Sequence, residues 1–391
     1  MSDALETPTL GLSPRREAAF AALIGALVAD AAAIGFHWLY DVERLAERGG
    51  ARPEFHTPNA DDFAGVPGYF AHSGKRAGDL SQYGEGLLAA VRALVAGGGS
   101  YCVRRHQTEF QATFGPGGSW SGYVDHPTQA TLRNLERGQG VARAAGLAAA
   151  AGLADAERLV DRVVAARSRR GADLLTSLGD DFASPQARAV VEAVDGAWLE
   201  ASGDQDQQLP ALSAVVPLVV AGADDATLER AVRVTHDDDE AVAWALAAGA
   251  GLRASLGGAF LQTAVEGVRA EAEGPLSERL NEALALSGSA VEVVGELGRN
   301  CTLRNAVPGL LWIAARTEHY EVGVRQNVAA GGDSCGRALV LGAMLAATRG
   351  LGGRGYPRRY LWSETAWGSR LLRPQPGSTA SATLFPRAEP N

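Results

Sequence analysis

Apolar residues recur along most of this chain at the spacing of one face of an α-helix. Positions i, i+3, i+4 and i+7 are apolar in one Ala-rich segment after another, whereas period-2 alternation of β-branched residues is hardly found. The pattern predicts an all-α fold, a single globule of about a dozen or more helices that pack at varied angles. The predicted helices cover residues 17–34, 85–96, 128–150, 154–168, 185–201, 209–221, 225–235, 238–255, 259–272, 276–297, 303–316 and 334–348.

Several predicted helices begin at acidic residues that can cap them. Asp237, with Glu240 three residues later, has the form of a capping box. Asp224 or Asp225 can cap the preceding helix, and Asp333 can cap the last one. For Asp333 this signal offers a purely structural role beside any chemical one.

The first helix lies in a nearly uncharged stretch of the chain, from residue 18 to 36. Arg15 and Arg16 precede the stretch, as they would in a signal peptide or a membrane span. Against this, Glu17 follows the arginines at once, and Asp30 falls where a carboxylate costs about 2.5 to 3.5 kcal/mol on membrane-insertion scales. We therefore expect a buried helix of a soluble protein and no membrane association.

The chain divides into one domain with two loose ends. Residues 1–13 are predicted to be a flexible leader, residues 14–372 the helical domain, and residues 373–391, rich in Pro, Gly, Ser and Thr, a disordered tail. Within the domain, residues 49–82 and 112–127 are predicted loops rich in Gly, Pro, His and aromatic side chains. Loops of this length in a compact domain are commonly functional, so a ligand is expected there.

Composition and charge exclude several classes of protein. With 46% hydrophobic and 21% charged residues, the chain is neither disordered nor fibrous. A formal charge of -9 gives no general attraction to nucleic acid. Lys75 is the one lysine and lies in no phosphate-binding motif. Cys102, Cys301 and Cys335 are too few and too scattered for a disulfide framework or a zinc motif, so a cytoplasmic location is expected.

Five segments, in order along the chain, carry a resemblance to a known family. They are GALVADA at residues 25–31, SQYGE at 81–85, the segment 206–220, THD at 235–237 and GGDS at 331–334. In this order they resemble the ADP-ribosylglycohydrolase family, which has GGDTDT at the last position. Residues 37–41, HWLYD, are similar to the branch of that family with the J1-type crystallins. The resemblance implies an all-helical globule, in agreement with the periodicity.

The resemblance also implies a metal site, which this sequence has altered. Active members hold two magnesium ions with a TDD triplet, the acidic residues of GGDTDT and a glutamate after the first helix. Here residues 83–85 stand where the triplet belongs, Asp333 is retained, residues 335–336 replace the second aspartate and the threonine, and His37 replaces the glutamate. Because only Asp333 and Glu85 remain, the expectation is one weakly bound magnesium ion in place of a pair. A softer metal held by His37, Cys335 and Asp333 is an alternative.

The expected chemistry is hydrolysis of an N-glycosidic bond, in an ADP-ribosyl group or a related riboside. Glu85 and Asp333 are predicted to be the electrostatic partner and the base, and His37 to protonate the leaving group. In a rival scheme Cys335 is the nucleophile and His37 its base. The residues predicted to contact substrate, some of them through backbone amides that meet a phosphate, are Trp38, Tyr83, Gly118, Ser119, Tyr123, Cys335 and Arg337.

Two readings without catalysis also stay open, and the resemblance to crystallins is the only support for the second of them. The chain is then a binding protein for an ADP-ribose-like ligand, or a crystallin-like structural protein. In that case Asp333 is only a helix cap, Cys335 a small buried apolar side chain, and Trp38 and Tyr83 packing residues. In all three readings the partner is at most a small molecule or an ADP-ribosylated one.

Overall fold

The structure is a computed structural model, and it describes residues 13–136, 202–317 and 319–348. Parts of the sequence prediction lie outside these residues: the leader up to residue 12, most of the helix at 128–150, the helices at 154–168 and 185–201, and the tail at 373–391.

Within the described residues the protein is built from α-helices. They are α1 (Pro14–Ala33), α2 (Val42–Gly49), α3 (Gln82–Ala96), α4 (Val103–Phe114), α5 (126–136), α6 (Val215–Val220), α7 (Asp225–Val232), α8 (Asp239–Leu256), α9 (Leu261–Glu271), α10 (Gly274–Ala285), α11 (Ala290–Leu297), α12 (Leu303–Arg316), α13 (Tyr320–Ala329) and α14 (Ser334–Ala347). Short 3₁₀ segments occur at Ile34–Phe36, Ala60–Phe63 and Leu209–Ala214. In this part of the chain β structure is limited to four isolated bridges, so the prediction of an all-α fold is confirmed.

Helices α1 and α14 cross at the centre of the core, where each carries a glycine. A Cβ atom on Gly25 or on Gly342 would lie 2.5 Å from the carbonyl oxygen of the other glycine, so neither position accepts a side chain. The segment Pro14–Phe36, with a mean hydropathy of 2.0, is long and apolar enough to cross a membrane, but 94% of its most apolar window is buried inside the protein. It is a buried core helix, as the sequence predicted.

Three helices, α2, α4 and α13, escaped the sequence prediction. The clearest case is α4, whose buried face includes His106 and Gln107 beside Val103 and Phe110. Polar side chains on the inner face hide the apolar spacing by which a helix is recognised.

The helix predicted at 276–297 is in fact two helices. Gly288, with a φ of 134°, interrupts it. Ser289 then begins α11 with a complete capping box, in which its hydroxyl accepts from the Glu292 amide and the Glu292 carboxylate accepts from the Ser289 amide.

The predicted cap at Asp224 is confirmed, because its carboxylate caps the start of α7. The cap predicted for α8 is wrong by one residue. There the side chain of Asp238 accepts a 2.9 Å hydrogen bond from the Ala241 amide. Asp237 instead makes an ion pair of 2.9 Å with Arg233. The error is small because Asp237, the cap Asp238 and the first helical residue Asp239 are consecutive aspartates.

Candidate functional site

The Gly-Gly-Asp segment before α14 forms a tight turn that requires glycine. Gly331 and Gly332 have positive φ values of 72° and 64°. A Cβ atom on Gly332 would collide with the carbonyl oxygen of Arg299, which accepts a 3.0 Å hydrogen bond from the Asp333 amide. The turn thereby brings Asp333 into the core as the N-cap of α14, where its carboxylate accepts a 3.0 Å bond from the Gly336 amide. The predicted cap is confirmed.

The turn at residues 37–40, with an isolated bridge at Leu39, lies against the Gly-Gly-Asp turn. The Trp38 amide donates to the Gly332 carbonyl at 2.8 Å, and the Gly332 amide donates to the Leu39 carbonyl at 2.7 Å. On the other side, the Tyr69 amide donates to the Trp38 carbonyl at 3.0 Å. Trp38 has a φ of 65°, a left-handed conformation that is strained for a residue with a side chain and that these bonds hold in place.

The carboxylate of Asp333 gathers donors from distant parts of the chain. His37 Nε2 lies 3.0 Å from one oxygen, and the Tyr83 hydroxyl donates to the other at 2.6 Å. Neither Asp333 nor His37 has any exposed area, and Tyr83 is also buried. Three residues that the sequence predicted to meet are therefore brought together by the end of α1, the first turn of α3 and the start of α14.

Asp333, His37 and Tyr83 form a cluster, and its electrostatics keep Asp333 ionised. Burial pushes the pKa of Asp333 upward, but His37, by charge and by hydrogen bond, together with the bonds from Tyr83 and Gly336, outweighs burial and holds the pKa below its usual value. Burial, with the nearby charge of Asp333, raises the pKa of the Tyr83 phenol well above its usual value. Tyr83 therefore stays protonated and acts as a donor.

His72, which the sequence analysis did not single out, extends the cluster. Its Nε2 lies 2.6 Å from His37 Nδ1, and the two rings are nearly stacked at 4.9 Å. Burial, followed by the charges of His37 and Lys75, lowers the pKa of His72 well below its usual value, so the ring is neutral. The other nitrogen, His72 Nδ1, is buried with no hydrogen-bond partner in the described residues. The only signal in the sequence was its position in the long loop at 49–82.

A second buried carboxyl group lies behind Asp333. The Asp30 carboxyl accepts bonds from the amide of Ser81, at 2.8 Å, and from its hydroxyl. Burial raises the pKa of Asp30 to about 7 in spite of these bonds. Cys335 donates from Sγ to the carbonyl of Asp30 at 3.6 Å, and burial, followed by the charge of Asp30, raises the pKa of the Cys335 thiol well above its usual value. A buried, protonated thiol is not a nucleophile, so this geometry does not support the rival scheme.

Glu85 is half-buried on α3, and Arg337 is fully buried on α14. Glu85 follows Tyr83 by two residues on α3, which is a rotation of about 200°, so the two side chains point to nearly opposite sides of the helix. Glu85 is half-buried there and acts on Asp30 by its charge. Arg337 is fully buried and donates to the carbonyl of Gly331 at 2.6 Å, so it braces the turn from within.

The glycine-rich loop after α4 has its amides engaged within the chain. The amide of Gly118 donates to Gly115 at 2.8 Å, and the amide of Ser119 donates to Ala112 at 3.0 Å. These bonds close the end of α4, so a phosphate would need other donors.

Aromatic rings from three segments cover the cluster. Trp38 packs on His37 with ring centroids 4.4 Å apart, and Tyr123 lies edge-on to Trp38 at 5.2 Å. Tyr69 contacts Tyr123 at 5.2 Å and is 53% exposed. The indole Nε1 of Trp38 is buried and has no partner in the described residues. We call Trp38, Tyr69 and Tyr123 the aromatic rim.

Asp125 is a further titratable group that the sequence analysis did not select. It accepts a 2.8 Å bond from the side-chain amide of Gln82 and another of 2.8 Å from the Thr128 amide. Burial outweighs the bonds from Thr128 and raises the pKa of Asp125 to about 6, with a further contribution from the charge of Asp333. A group at the cap of α5, in the predicted loop at 112–127, is thus electrostatically coupled to the cluster.

Magnesium does not fit this set of side chains. The ion needs about six oxygen ligands in a near-octahedral arrangement. Both oxygens of Asp333 already accept hydrogen bonds, and the groups that face them are an imidazole, a phenol and a backbone amide. Glu85 points away. The groups that hydrogen-bond to the Asp333 carboxylate are therefore donors, where a magnesium ion requires acceptors.

A softer metal meets a different obstacle. His37, His72 and Cys335 are all buried and each offers a ligand atom within 4.8 Å of the others, so side chains that can ligate a metal do gather here. However, the facing nitrogens of the two histidines are only 2.6 Å apart. Two imidazoles on one tetrahedral zinc ion have nitrogens about 3.3 Å apart, given bonds of about 2.0 Å. The observed spacing is that of a hydrogen bond.

Comparison with known proteins decides the family. A model of the ADP-ribosylglycohydrolase family matches residues 12–363. The chain belongs to this family. Crystallin J1A of Tripedalia cystophora is 24% identical over 358 residues, which cover 86% of this chain and 88% of the crystallin. A solved structure, an ADP-ribosylglycohydrolase-related protein complex, shares the fold with a TM-score of 0.57 and 17% identity, over 92% of this chain and 96% of that one.

The resemblance seen in the sequence is thereby confirmed in both its parts, the ADP-ribosylglycohydrolase family and the likeness to a J1-type crystallin. Family membership supports a hydrolase-type fold, and the Asp333 cluster lies within the matched residues. In this member of the ADP-ribosylglycohydrolase family the cluster is built from hydrogen bonds between protein groups.

Proposed function

We propose that this protein is a hydrolase of ADP-ribosylglycohydrolase type that cleaves an N-glycosidic bond, in an ADP-ribosyl group or a related riboside, without a pair of magnesium ions. One observation carries the proposal: Asp333 and His37 form a buried, hydrogen-bonded pair, fixed by Tyr83, where the family resemblance places the reacting centre. A carboxylate that orients an imidazole is a common arrangement for general acid–base catalysis.

The proposal assigns separate roles to Asp333 and to Asp125. Hydrolysis of an N-glycoside needs a base to activate water and an acid to protonate the leaving nitrogen, around an oxocarbenium-like centre. Groups whose pKa values are driven apart suit such a division. Asp333, with its lowered pKa, remains an anion that stabilises positive charge on the imidazoles. Asp125, with a pKa of about 6, retains a proton far better than an ordinary carboxyl group and is assigned the role of acid.

Contact with the substrate is assigned to the aromatic rim, of which the sequence predicted Trp38 and Tyr123. Flat apolar rings suit a sugar or a nucleobase, and the unpartnered Nε1 of Trp38 offers a hydrogen-bond donor. Because Asp333 and His37 have no exposed area, a substrate must part these rings to reach them. The cytoplasmic location stays a prediction, in keeping with free cysteines at positions 102, 301 and 335.

The test is turnover by the full chain of a panel of N-ribosides, with and without the ADP group, in magnesium and in EDTA. We expect release of ribose or ADP-ribose from at least one compound, at a rate that EDTA does not change. Asp333→Asn keeps the shape of the carboxylate but not its charge, and should lower kcat by about 10² to 10⁴-fold. Asp238→Asn, at the same cap position of α8, is the control and should retain the rate. No turnover of any compound, or turnover that requires magnesium, would refute the proposal.

A non-catalytic role is the second candidate, and the closed burial of Asp333 and His37 favours it. The similarity to a protein named as a crystallin points the same way. A binding protein should be stabilised against heat by ADP-ribose without turnover, and a structural protein should show neither effect.

A further inference from the structure

A second group of polar side chains gathers where two of the segments that resemble the family meet. Asp206 begins one of these segments, and His236 is the histidine of the other. The two backbones are paired at this point, because residues 204 and 236 form an isolated bridge and the Asp237 amide donates to the Asp204 carbonyl at 2.8 Å. This pairing fixes the separation of the two segments.

Helix α5 brings His126 to the same place. The helix is attached through the hydroxyl of Thr131, which donates to the Thr235 carbonyl at 3.2 Å. His126 is its first residue. The Nδ1 atom of His126 lies 3.7 Å from an oxygen of Asp206 and 3.8 Å from an oxygen of Asp204. Three separate parts of the chain therefore contribute side chains that can ligate a metal.

His236 has a ring nitrogen that no protein group satisfies. Its Nδ1 lies 3.0 Å from the Thr235 hydroxyl. Its Nε2 is buried, has no hydrogen-bond partner in the part of the chain that the structure describes, and lies 4.0 Å from an oxygen of Asp206. Burial lowers the pKa of His236 to about 3, so the ring is neutral, which is the form that binds a metal. A buried polar atom without a partner calls for an explanation.

The spacing of these atoms leaves room for an ion. The three separations, 3.7, 3.8 and 4.0 Å, are longer than hydrogen bonds. Ligand atoms on one tetrahedral zinc ion lie about 3.3 Å apart, given bonds of about 2.0 Å, so the set has to contract by about 0.4 to 0.7 Å. Small side-chain rotations supply such a shift, and His126 is 67% exposed. At His37 and His72, by contrast, the facing nitrogens are too close for a shared ion.

The surroundings of Asp206 and His236 resemble the outer shell of a metal site. The backbone amide of Gln208 donates to one oxygen of Asp206 at 2.9 Å, and its side-chain amide donates to the other at 3.0 Å. Gln208 accepts in turn from the Cys301 thiol at 3.1 Å. Hydrogen bonds of this kind orient ligating carboxylates and histidines, and Thr235 is placed to do the same for His236.

We infer that one zinc ion binds among four side chains, those of His126, Asp204, Asp206 and His236. Two imidazole nitrogens and two carboxylate oxygens suit the tetrahedral coordination of zinc, whereas magnesium takes oxygen ligands. The two carboxylates balance the charge of the ion. Exposed His126 lies at the entry, and buried His236 lies at the inner end. Four protein ligands close the coordination sphere, so the ion is structural: it fastens the start of α5 to the paired segments and does not depend on the proposed hydrolase activity.

Calorimetric titration of the full chain, after treatment with EDTA, tests the inference with zinc chloride. We expect one tight zinc site, and no such binding of magnesium chloride. His126→Ala and Asp206→Asn should each weaken zinc binding by at least about 10²-fold, since even the loss of an outer-shell partner costs about 10 to 100-fold. His319→Ala is the control, because His319 is also exposed and begins a helix, α13. Its affinity for zinc should equal that of the wild type.

The outcomes that overturn the inference are separate from any failure to fold. His126 is at the surface, so its loss should leave the circular dichroism spectrum unchanged. Absence of a zinc site in the wild type, or unchanged affinity in His126→Ala, would overturn the inference. Cobalt in place of zinc gives a readout without any variant: a tetrahedral spectrum with no thiolate charge-transfer band is expected. A thiolate band would place the ion at Cys335, beside His37 and His72, and would also overturn the inference.

Discussion

Replacement of Asp333 by alanine separates the role of a helix cap from that of a buried network. The side chain of Asp333 caps α14 through the Gly336 amide at 3.0 Å, and that of Asp238 caps α8 through the Ala241 amide at 2.9 Å. The two caps are equivalent in geometry. Asp333 differs because it is also the acceptor for His37 and Tyr83, both buried.

The expected magnitudes follow from that difference. Loss of an aspartate cap costs about 1 kcal/mol, which is the whole expected effect of Asp238→Ala. Asp333→Ala also leaves the Tyr83 hydroxyl and an imidazole N–H of His37 buried without an acceptor, at about 1 to 3 kcal/mol each. With some relaxation around these two groups, we expect the free energy of unfolding to fall by about 3 to 5 kcal/mol in total. This is the usual cost of removing one partner from a buried ionic group.

Urea denaturation, monitored by circular dichroism, measures the loss of unfolding free energy in both variants. The pH gives a second check, since the pKa of Asp333 is lowered from 3.8 in the folded protein. The contribution of Asp333 to stability is present above the unfolded pKa of about 3.8 and is lost as the pH falls through the folded pKa. The difference in unfolding free energy between the wild type and Asp333→Ala should therefore narrow in acid. Equal losses for Asp333→Ala and Asp238→Ala at pH 7 would show that Asp333 is a cap and nothing more.

Two further substitutions test the layer behind the cluster. Asp30 has its pKa raised from 3.8 to about 7, so its contribution to stability is fully present below pH 3.8 and is lost as the pH rises through 7. The melting temperature of Asp30→Asn should accordingly fall less than that of the wild type between pH 4 and 8, and parallel curves would contradict this. Gly84→Ala places a Cβ against the Asp30 carboxyl and 3.0 Å from Leu80, and should cost about 1 to 3 kcal/mol in a urea titration. Gly267→Ala, on the open face of α9, should be neutral or stabilising by up to about 1 kcal/mol, and a similar loss there would remove the steric argument.

The sequence predicted the long helices that bury an apolar face and missed three shorter ones, α2, α4 and α13. The long Ala-rich helices α1, α8 and α14 were found because packing and spacing agree in them. Helix α4 was missed because His106 and Gln107 occupy its inner face. The division between α10 and α11 was readable, since Ser289 and Glu292 have the spacing of a capping box. Local capping signals should therefore be weighed against a continuous apolar pattern.

At the site, the resemblance found residues that spacing alone could not connect. His37, Tyr83 and Asp333 are separated by up to 296 positions, and only a known fold brings them to one point. For Glu85, a resemblance in register does not say which side of α3 faces the core, which a rotation of about 100° per residue decides, so its role in the site stays a prediction. His72 belongs to a loop without periodicity, so its place was not predictable from the sequence.

The departures from the family motif are consistent with one another. Two magnesium ions need a surrounding of acceptors, and the motif supplies carboxylates. If the cations are absent, each remaining carboxylate needs hydrogen-bond donors instead, because an uncompensated buried charge is costly. Here Asp333 is retained, and the groups that face its carboxylate are the hydroxyl of Tyr83, the imidazole N–H of His37 and the amide of Gly336. A buried carboxylate that accepts from three protein donors is compensated within the chain, which is what a site without these cations requires.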